Sequence, residues 1–290
     1  MYILQKVSLV KALEVEEAVR KSIELLGGMQ LEKGKIAVIK PNICNSKNPY
    51  GMVITDFRII KAVVDIVREN GSEVLIVESD NVSDYAENRI EKSGLSKLLD
   101  KWDVDFLNLS DDDYKEYKVA NTLLRLPKTV LEADYFINLP KIKTCAHTLV
   151  TLSIKNLYGV FQRKQKGRLH KHLNEILPFL SKTIKNDLIV VDGINCMEGN
   201  GPVIGSPLCL NLIVAGHNLV SVDSICSRLM GYNPNNISHI ALSANEGVGP
   251  IDMEHISIIG EKLPSYDFEP PYSLKANLKS LKAFREIYLK

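Results

Sequence analysis

Six polar or charged side chains follow one apolar run and carry the strongest chemical signal in this chain. The run, residues 133–139, predicts a buried strand that Pro140 ends. The six residues that follow are Lys141, Lys143, Thr144, His147, Lys155 and Asn156. Open α/β sheets hold ligands just past strand ends, so these donors favour an anion-binding site. Taken one at a time, the lysines also fit the alternative of solvated loop charges.

Three more polar segments fall at predicted strand ends, at residues 40–42, 78–80 and 192–202. In a parallel sheet the carboxyl ends of the strands share one edge, so all four segments would line one pocket of mixed charge. We predict catalytic roles for Lys141, Lys143, His147 and Asp192. We predict substrate binding by Lys40, Asn42, Thr144, Lys155, Asn156, Gly199 and Gly201.

Crowding and desolvation give these side chains a chemical use beyond binding. A lysine beside other lysines in a partly dry site has a lowered pKa and can act as a base or an amine nucleophile. The carboxylates Glu78, Asp80, Asp192 and Glu198 can hold Mg²⁺ or orient a lysine. For each carboxylate, a helix cap or a salt bridge is the alternative role.

The glycine-rich segment at residues 197–202 does not match a nucleotide-binding motif. It lacks the lysine and hydroxyl residue of a Walker loop, and it does not open a long helix as a dinucleotide fingerprint does. Its glycines instead let backbone approach a ligand, or they make a tight turn.

Three of the five cysteines lie in the same polar segments. If the segments converge, Cys44, Cys145 and Cys196 could hold a [4Fe-4S] cluster with one open iron, or one of them could be a nucleophile. Chance placement is the alternative, because the spacing is not a local motif. Cys209 and Cys226 lie in an apolar strand and helix, and we expect them in the core.

Charge and hydropathy limit the partners. With 36 basic and 35 acidic residues the net charge is +1, which argues against a nucleic-acid partner. No apolar run reaches the length of a membrane helix and the N-terminus lacks signal-peptide features, so we expect a cytoplasmic protein with no membrane partner. The basic run at residues 162–172 fits a surface loop or a flexible basic lid. A small anionic molecule is the expected partner, with a homodimer or a redox partner left open.

Alternating apolar strands and amphipathic helices predict an α/β fold, a mainly parallel mixed sheet flanked by helices with the site at the strand C-terminal ends. We expect one domain over residues 1–263, with sub-lobes at 1–130 and 131–263. Residues 264–290, which contain three prolines among their first eight, predict an extended wrap followed by a helix.

An ordered set of motifs resembles the family called domain of unknown function 362. The motifs are Lys40-Pro41-Asn42, residues 140–144, Lys155-Asn156 with Gly159, Asp192-Gly193 with residues 197–202, and Val222-Asp223 ahead of Gly231. The resemblance covers residues 35–249 and adds Asp223 to the candidate metal ligands, with a helix cap as its alternative role. Many members resemble redox proteins because of an added ferredoxin-type segment, which this sequence lacks.

These patterns favour an enzyme that acts on a small carboxylate or phosphorylated metabolite by acid/base or metal-assisted chemistry. Lysines would hold the anion, and His147 or a lysine would move a proton, with Asp192 and Glu198 orienting it. The first alternative is an iron-sulfur redox or lyase-type enzyme that uses the three cysteines. The second is a protein that binds an anionic ligand without catalysis.

Overall fold

The computed structural model describes residues 4–161 and 163–288 of the chain. Within those ranges the strands are β1 (Gln5–Lys11), β2 (Ile36–Pro41), β3 (Glu73–Glu78), β4 (Asp105–Asn108), β5 (Tyr114–Val119), β6 (Thr122–Pro127), β7 (Tyr135–Leu139), β8 (Lys141–Cys145), β9 (Leu149–Thr151), β10 (Leu188–Glu198), β11 (Ser206–Gly216) and β12 (Ile256–Gly260). The helices are α1 (Val15–Leu25), α2 (Phe57–Glu69), α3 (Ala86–Ser93), α4 (Leu95–Trp102), α5 (Lys128–Leu131), α6 (Ser153–Asn156), α7 (Arg163–Leu169), α8 (Leu173–Thr183), α9 (Leu219–Leu229), α10 (Ser238–Asn245) and α11 (Leu274–Tyr288).

Ten of the described strands form one mixed sheet. Its main path is β12-β1-β11-β10-β7-β2-β3-β4, and β8 pairs with β10 and β9. Strands β4, β3, β2, β7 and β10 are parallel to one another, while β11 is antiparallel to both β10 and β1. The mainly parallel α/β architecture that the sequence predicts is therefore confirmed.

Helices cover both faces of the sheet, which accounts for the continuously apolar strands. Along β2, Ala37 and Ile39 point into a core that contains residues of α1, α2 and α4, and Val38 between them points into the opposite core with α6, α8 and α9. A strand buried on both faces needs apolar side chains at successive positions. This arrangement leaves the carboxyl edge of the parallel strands as the place for polar side chains.

Two polar segments that we expected just past the ends of strands, and so predicted as loops, are strands. Residues 141–145 form β8, and β10 continues from Asp192 to Glu198 through an irregularity between Gly193 and Asn195. Their charged residues indicated loops, but those residues find ion-pair or hydrogen-bond partners far away in the sequence. Helix α6 is followed directly by a 3₁₀ turn, Leu157–Val160. Strands β5 and β6 pair antiparallel as a separate two-stranded sheet.

The first and last of the described strands pair at one edge of the sheet. Strand β1 lies between β11, its antiparallel neighbour, and β12, its parallel neighbour. After β12 the chain runs extended over the protein, where the backbone N–H of Tyr266 donates to the Leu229 carbonyl at 2.8 Å and Phe268 is buried. Helix α11 follows. No helix in the described ranges combines the length and the apolar character needed to cross a membrane.

Candidate functional site

A cavity of about 340 Å³ lies at the carboxyl edge of the parallel strands. The ends of β2, β3 and β8, the loops after them, and helices α3, α6 and α7 supply its lining. Nine residues predicted from the sequence line it together: Lys40, Asn42, Cys44, Glu78, Lys143, Cys145, His147, Lys155 and Asn156. The structure thus brings half of the predicted site residues to one place, and the others lie outside the lining.

Alternation along β8 divides its residues between the cavity and the protein interior. Lys143 and Cys145, two residues apart, both line the cavity. The Thr144 hydroxyl between them donates to the Gly199 carbonyl at 2.8 Å instead. The Lys143 ammonium donates to Asn42 Oδ1 at 2.6 Å and lies 3.2 Å from Cys44 Sγ. Pairing β8 with β10 therefore fixes the position of one lysine and one cysteine in the cavity wall.

Lys141 and Asp192, both predicted as catalytic, form a sealed ion pair outside the cavity. The Lys141 ammonium lies 2.5 Å from Asp192 Oδ2, and both side chains are 0% exposed. The Asp192 carboxylate also accepts the backbone N–H of Asp56 at 2.7 Å and that of Ile194 at 3.0 Å. The pair links β8 to β10 and to the start of α2. It therefore stabilises the strands that carry the cavity residues without lining the cavity itself.

A second buried ion pair joins Lys40 to Glu78 inside the cavity. Lys40 Nζ lies 3.2 Å from Glu78 Oε2, and the carboxylate also accepts the backbone N–H groups of Ile43 and Ser79. Burial by itself would raise the pKa of Glu78, but the Lys40 and Arg89 charges outweigh it and hold that pKa below its usual range. Burial lowers the pKa of Lys40, and the Glu78 charge opposes that change. The negative charge of Glu78 is thus already balanced by the positive charges of Lys40 and Arg89.

Arg89 is a cavity residue that sequence reasoning missed. It lies on α3 and is 1% exposed, and its guanidinium donates to the carbonyl oxygens of Ile43 and Ser79. The arginine therefore holds the loops after β2 and β3 and leaves a positive charge in the wall. In the sequence it lies on a short polar helix with no pattern that marks it as buried.

The basic run contributes a buried lysine to the cavity. Lys166 on α7 is 5% exposed, and its ammonium donates to Ser79 Oγ at 2.7 Å and to the Asp80 carbonyl at 2.5 Å. Burial holds the pKa of Lys166 well below its usual value. Lys166 and His170, four residues apart, both line the cavity, and that helical spacing was the available signal. Gln162, the first residue of the predicted run, lies outside the described residues.

Lys155 differs from the other cations because its ammonium faces the cavity without an acceptor. Its Nζ lies 4.2 Å from the centre of the Tyr158 ring, a cation–π contact, and it has no hydrogen-bond acceptor among the residues that the structure describes. Burial lowers the pKa of Lys155, and the neighbouring Lys143 charge lowers it further, against the opposing effect of Cys145. This partly buried amine is therefore available to a ligand.

Asp223 positions the short helix that carries Lys155. Its carboxylate accepts the backbone N–H of Ser153 at 2.8 Å, the Ser153 hydroxyl at 2.5 Å and the backbone N–H of Ile154 at 3.0 Å. These are the first groups of α6, so Asp223 caps that helix from α9 across the core. Asn156, at the other end of α6, accepts from Asn42 Nδ2 at 2.9 Å. The resemblance indicated Asp223, and its place here is the capping alternative.

Three aromatic rings lie in a row along one side of the cavity. His147 stacks on His170 with ring centres 4.5 Å apart, and His170 stacks on Tyr158 at 5.5 Å. Burial lowers the pKa of His170 to about 4, and the His147 and Lys155 charges act in the same direction. At neutral pH the His170 ring is therefore uncharged. The row joins the turn after β8 to the segment after α7.

The predicted metal ligands do not meet. Asp80 accepts the backbone N–H of Ala86 at 2.9 Å, and Glu198 pairs with Lys279 at 2.9 Å. The remaining carboxylates, Glu78 and Asp223, are held by the contacts described above. Across residues 4–161 and 163–288, no three His, Cys, Asp or Glu side chains are grouped to hold a metal ion.

The three cysteines considered for an iron-sulfur cluster are divided between the cavity and the core. Cys44 and Cys145 line the cavity, whereas Cys196 is fully buried in the core on one face of the sheet. Burial raises the pKa of the Cys196 thiol, which disfavours the thiolate that a cluster needs. In the described chain these thiols supply two residues to the cavity. Of the two cysteines expected in the core, Cys226 is buried, but Cys209 is exposed because the first residues of β11 extend beyond the core, so the expectation for Cys209 is wrong.

Gly201 allows the loop after β10 to pack on β8. A Cβ atom at Gly201 would lie 1.9 Å from the Thr144 carbonyl oxygen, and the Gly201 carbonyl accepts the Ala146 N–H at 3.1 Å. We expect Gly201→Ala to lower the free energy of unfolding by about 2–3 kcal/mol, because backbone atoms cannot move aside cheaply. Urea unfolding measures the change. Gly167→Ala on α7 is the steric control, since a Cβ there would meet only the Val82 side chain, at an ordinary contact distance of 3.7 Å; equal losses in the two variants would contradict the prediction.

Comparison with known proteins found a matching family and a relative. Residues 37–228 match the model of a family described as a domain of unknown function (DUF362). A thylakoid-associated protein of Synechocystis sp. is 29% identical over 246 residues, which cover 82% of this chain and 76% of that protein. The matched region contains every residue of the cavity wall described above. Since the family model spans well over half of the sequence, the chain belongs to the DUF362 family.

Proposed function

We propose that the protein is an enzyme that binds a small carboxylate or phosphorylated metabolite in this cavity and moves a proton on it. One observation carries the proposal. Besides two histidines, five lysine or arginine side chains and one carboxylate line the cavity in the described chain, and the carboxylate is already paired with Lys40. The basic side chains are Lys40, Arg89, Lys143, Lys155 and Lys166. Such an excess of positive charge in a partly dry site favours an anion.

The contacts of the five cations assign them different parts in binding. Lys143 and Lys166 donate to carbonyl or side-chain oxygens of the wall, so they attract an anion by charge rather than by a free hydrogen bond. Arg89 donates to two such carbonyls through its terminal nitrogens, and its buried Nε has no acceptor among the described residues. Lys155 keeps its N–H donors for the ligand. Its lowered pKa brings its amine and ammonium forms closer together in free energy, so it can give or take a proton. His147 is the second candidate for proton transfer because its ring also lines the cavity.

The direct test compares anion binding by the parent protein with that of a Lys155→Met variant. Losing a charged hydrogen bond costs about 1.5–3 kcal/mol, so we expect succinate and inorganic phosphate to bind about 10- to 100-fold more weakly. Isothermal titration calorimetry measures both ligands. Lys118→Met, which removes an exposed lysine on β5, should bind as the parent does. Unchanged affinity in Lys155→Met would refute the assignment.

We also propose that the protein lies in a reducing compartment such as the cytoplasm, because its thiols are free. All five cysteines are unpaired, and two of them line the cavity. The relative from Synechocystis sp. is described as thylakoid-associated, so cell fractionation with a tagged chain would establish the location of this protein.

A further inference from the structure

We propose that helix α11 docks on an anionic lipid surface and lies there in the plane of the membrane interface. The leucines on its outer face enter the apolar region of the lipid, and its basic residues contact the lipid phosphates. Such docking needs no helix that crosses the membrane. Among the described residues, the cavity lining includes none from α11, so this surface is separate from the candidate functional site.

The outer face of α11 is apolar. Leu274, Leu278 and Leu281 are 79%, 64% and 72% exposed. Their spacing of four and three residues places them on one face of the helix. A helix on the surface of a globular protein normally turns such a face toward the core. A row of exposed leucines in the opposite orientation marks an interaction surface.

The inner face of α11 is small and polar, and its contacts fix the orientation of the helix. Ala276, which lies about 200° around the helix from the first of these leucines, is buried. A Cβ atom at Gly199 would lie 3.3 Å from the Ala276 Cβ, so the helix packs closely on the turn after β10. In the same turn the Asn200 side chain donates to Asn277 Oδ1 at 2.9 Å. The helix is therefore attached by its polar side, and the leucines stay at the surface.

The charges of α11 are mainly positive and lie outward. The helix contains four basic residues and one acidic residue. The Lys275 ammonium lies 3.3 Å from Glu269, and the Lys279 ammonium lies 2.9 Å from Glu198. The two lysine side chains are 66% and 41% exposed, whereas their carboxylate partners are only 15% and 13% exposed. In each pair the positive partner therefore reaches the surface more than the negative one, and the exposed Arg285 adds a further positive charge.

Leucines flanked by basic residues fit the interface of an anionic membrane. A helix of this kind lies in the plane of the interface with its apolar face in the acyl boundary, and lysine stems extend along the apolar surface so that the ammonium groups reach the phosphates. A second copy of the chain fits this face less well, because pairing two α11 helices would bring residues of like charge together. The charge of the helix thus favours the lipid surface.

Vesicle co-sedimentation tests the lipid partner. We expect the parent protein to bind vesicles of phosphatidylcholine and phosphatidylglycerol in equal parts at least tenfold more tightly than vesicles of pure phosphatidylcholine. High salt should weaken binding to the anionic vesicles, because it screens the charges. Binding to neither kind of vesicle, or equal binding to both, would overturn the proposal.

Two double variants separate the apolar and the charged contributions. Leu278→Ser with Leu281→Ser changes exposed side chains, so this variant should melt as the parent does and bind the anionic vesicles at least tenfold more weakly. Leu123→Ser, at an exposed leucine on β6, is the matched control and should bind as the parent does. Lys275→Gln with Arg285→Gln should weaken binding to the anionic vesicles about tenfold. Unchanged binding by the leucine variant would overturn the assignment of this face.

Multi-angle light scattering without lipid distinguishes the lipid surface from a second copy. We expect the parent protein and the leucine variant to have the same oligomeric state. A parent dimer that the leucine variant converts into a monomer would assign this face to a second copy and would overturn the lipid proposal.

Discussion

Lys141→Met is expected to lower the free energy of unfolding by about 3–5 kcal/mol. The change leaves the Asp192 carboxylate fully buried without its ammonium partner at 2.5 Å. Two backbone N–H groups still donate to that carboxylate, but they do not neutralise its charge. An uncompensated charge in the interior is among the costliest single changes a protein can carry. Urea unfolding followed by circular dichroism measures the loss.

The matched control for this variant is a lysine in an exposed pair. Lys35→Met removes an ammonium 3.1 Å from Asp134, where the side chains are 46% and 40% exposed, so the expected loss is about 0–1 kcal/mol. Adding Asp192→Leu to Lys141→Met should recover part of the stability by removing the stranded charge. A loss from Lys141→Met that is no larger than the loss from Lys35→Met would contradict the prediction.

Asp223→Ala is expected to cost about 3 kcal/mol at pH 5 and to weaken succinate binding as well. The variant leaves the Ser153 and Ile154 N–H groups and the Ser153 hydroxyl without their acceptor in the core, at about 1–3 kcal/mol for an unsatisfied buried donor. Helix α6 then loses its cap, and Lys155 with it loses its fixed position. Chemical unfolding and calorimetry measure the two effects separately.

The cost of Asp223→Ala should fall as the pH rises. Burial raises the pKa of Asp223 to about 7 from an ordinary value of 3.8, so the folded state binds the proton more tightly than the unfolded state. That stabilisation is complete below about pH 4 and is lost as the pH rises through about 7. Between pH 5 and pH 8 the difference between parent and variant should shrink by about 2–3 kcal/mol. Asp134→Ala, at an exposed aspartate, should show no such trend, and a difference that grows with pH would contradict the assignment.

The sheet was predictable because its strands are buried on both faces. Such strands need successive apolar residues, such as Val38 and Ile39, and the local sequence shows them. Strand β8 was not, since Lys141 and Lys143 carry charges that in isolation indicate a loop. Their partners, Asp192 and Asn42, lie 51 and 101 residues away in the sequence. Whether a charged residue is solvated or sealed depends on such distant partners, and no local pattern records them.

The residue types of the candidate site were predictable, but the role of each residue was less so. Lysines at successive strand ends indicated an anion site, and the structure gathers Lys40, Lys143 and Lys155 in one cavity. Opposite charges at strand ends also suggested catalysis by Lys141 and Asp192, which instead satisfy each other away from the cavity. The sheet places all of these lysines near one another. Only their contacts distinguish an amine that faces a ligand from an amine held in a structural ion pair.

The pairing of β1 determines when the sheet can be completed during the synthesis of this protein. Residues 5–11 leave the ribosome well before the two strands that flank β1, because β11 begins at residue 206 and β12 at residue 256. Until then the nascent chain carries β1 without a partner strand. Completion of the sheet therefore waits until β12 has emerged, and a chain that stalls before residue 206 leaves β1 open to chaperones or to aggregation.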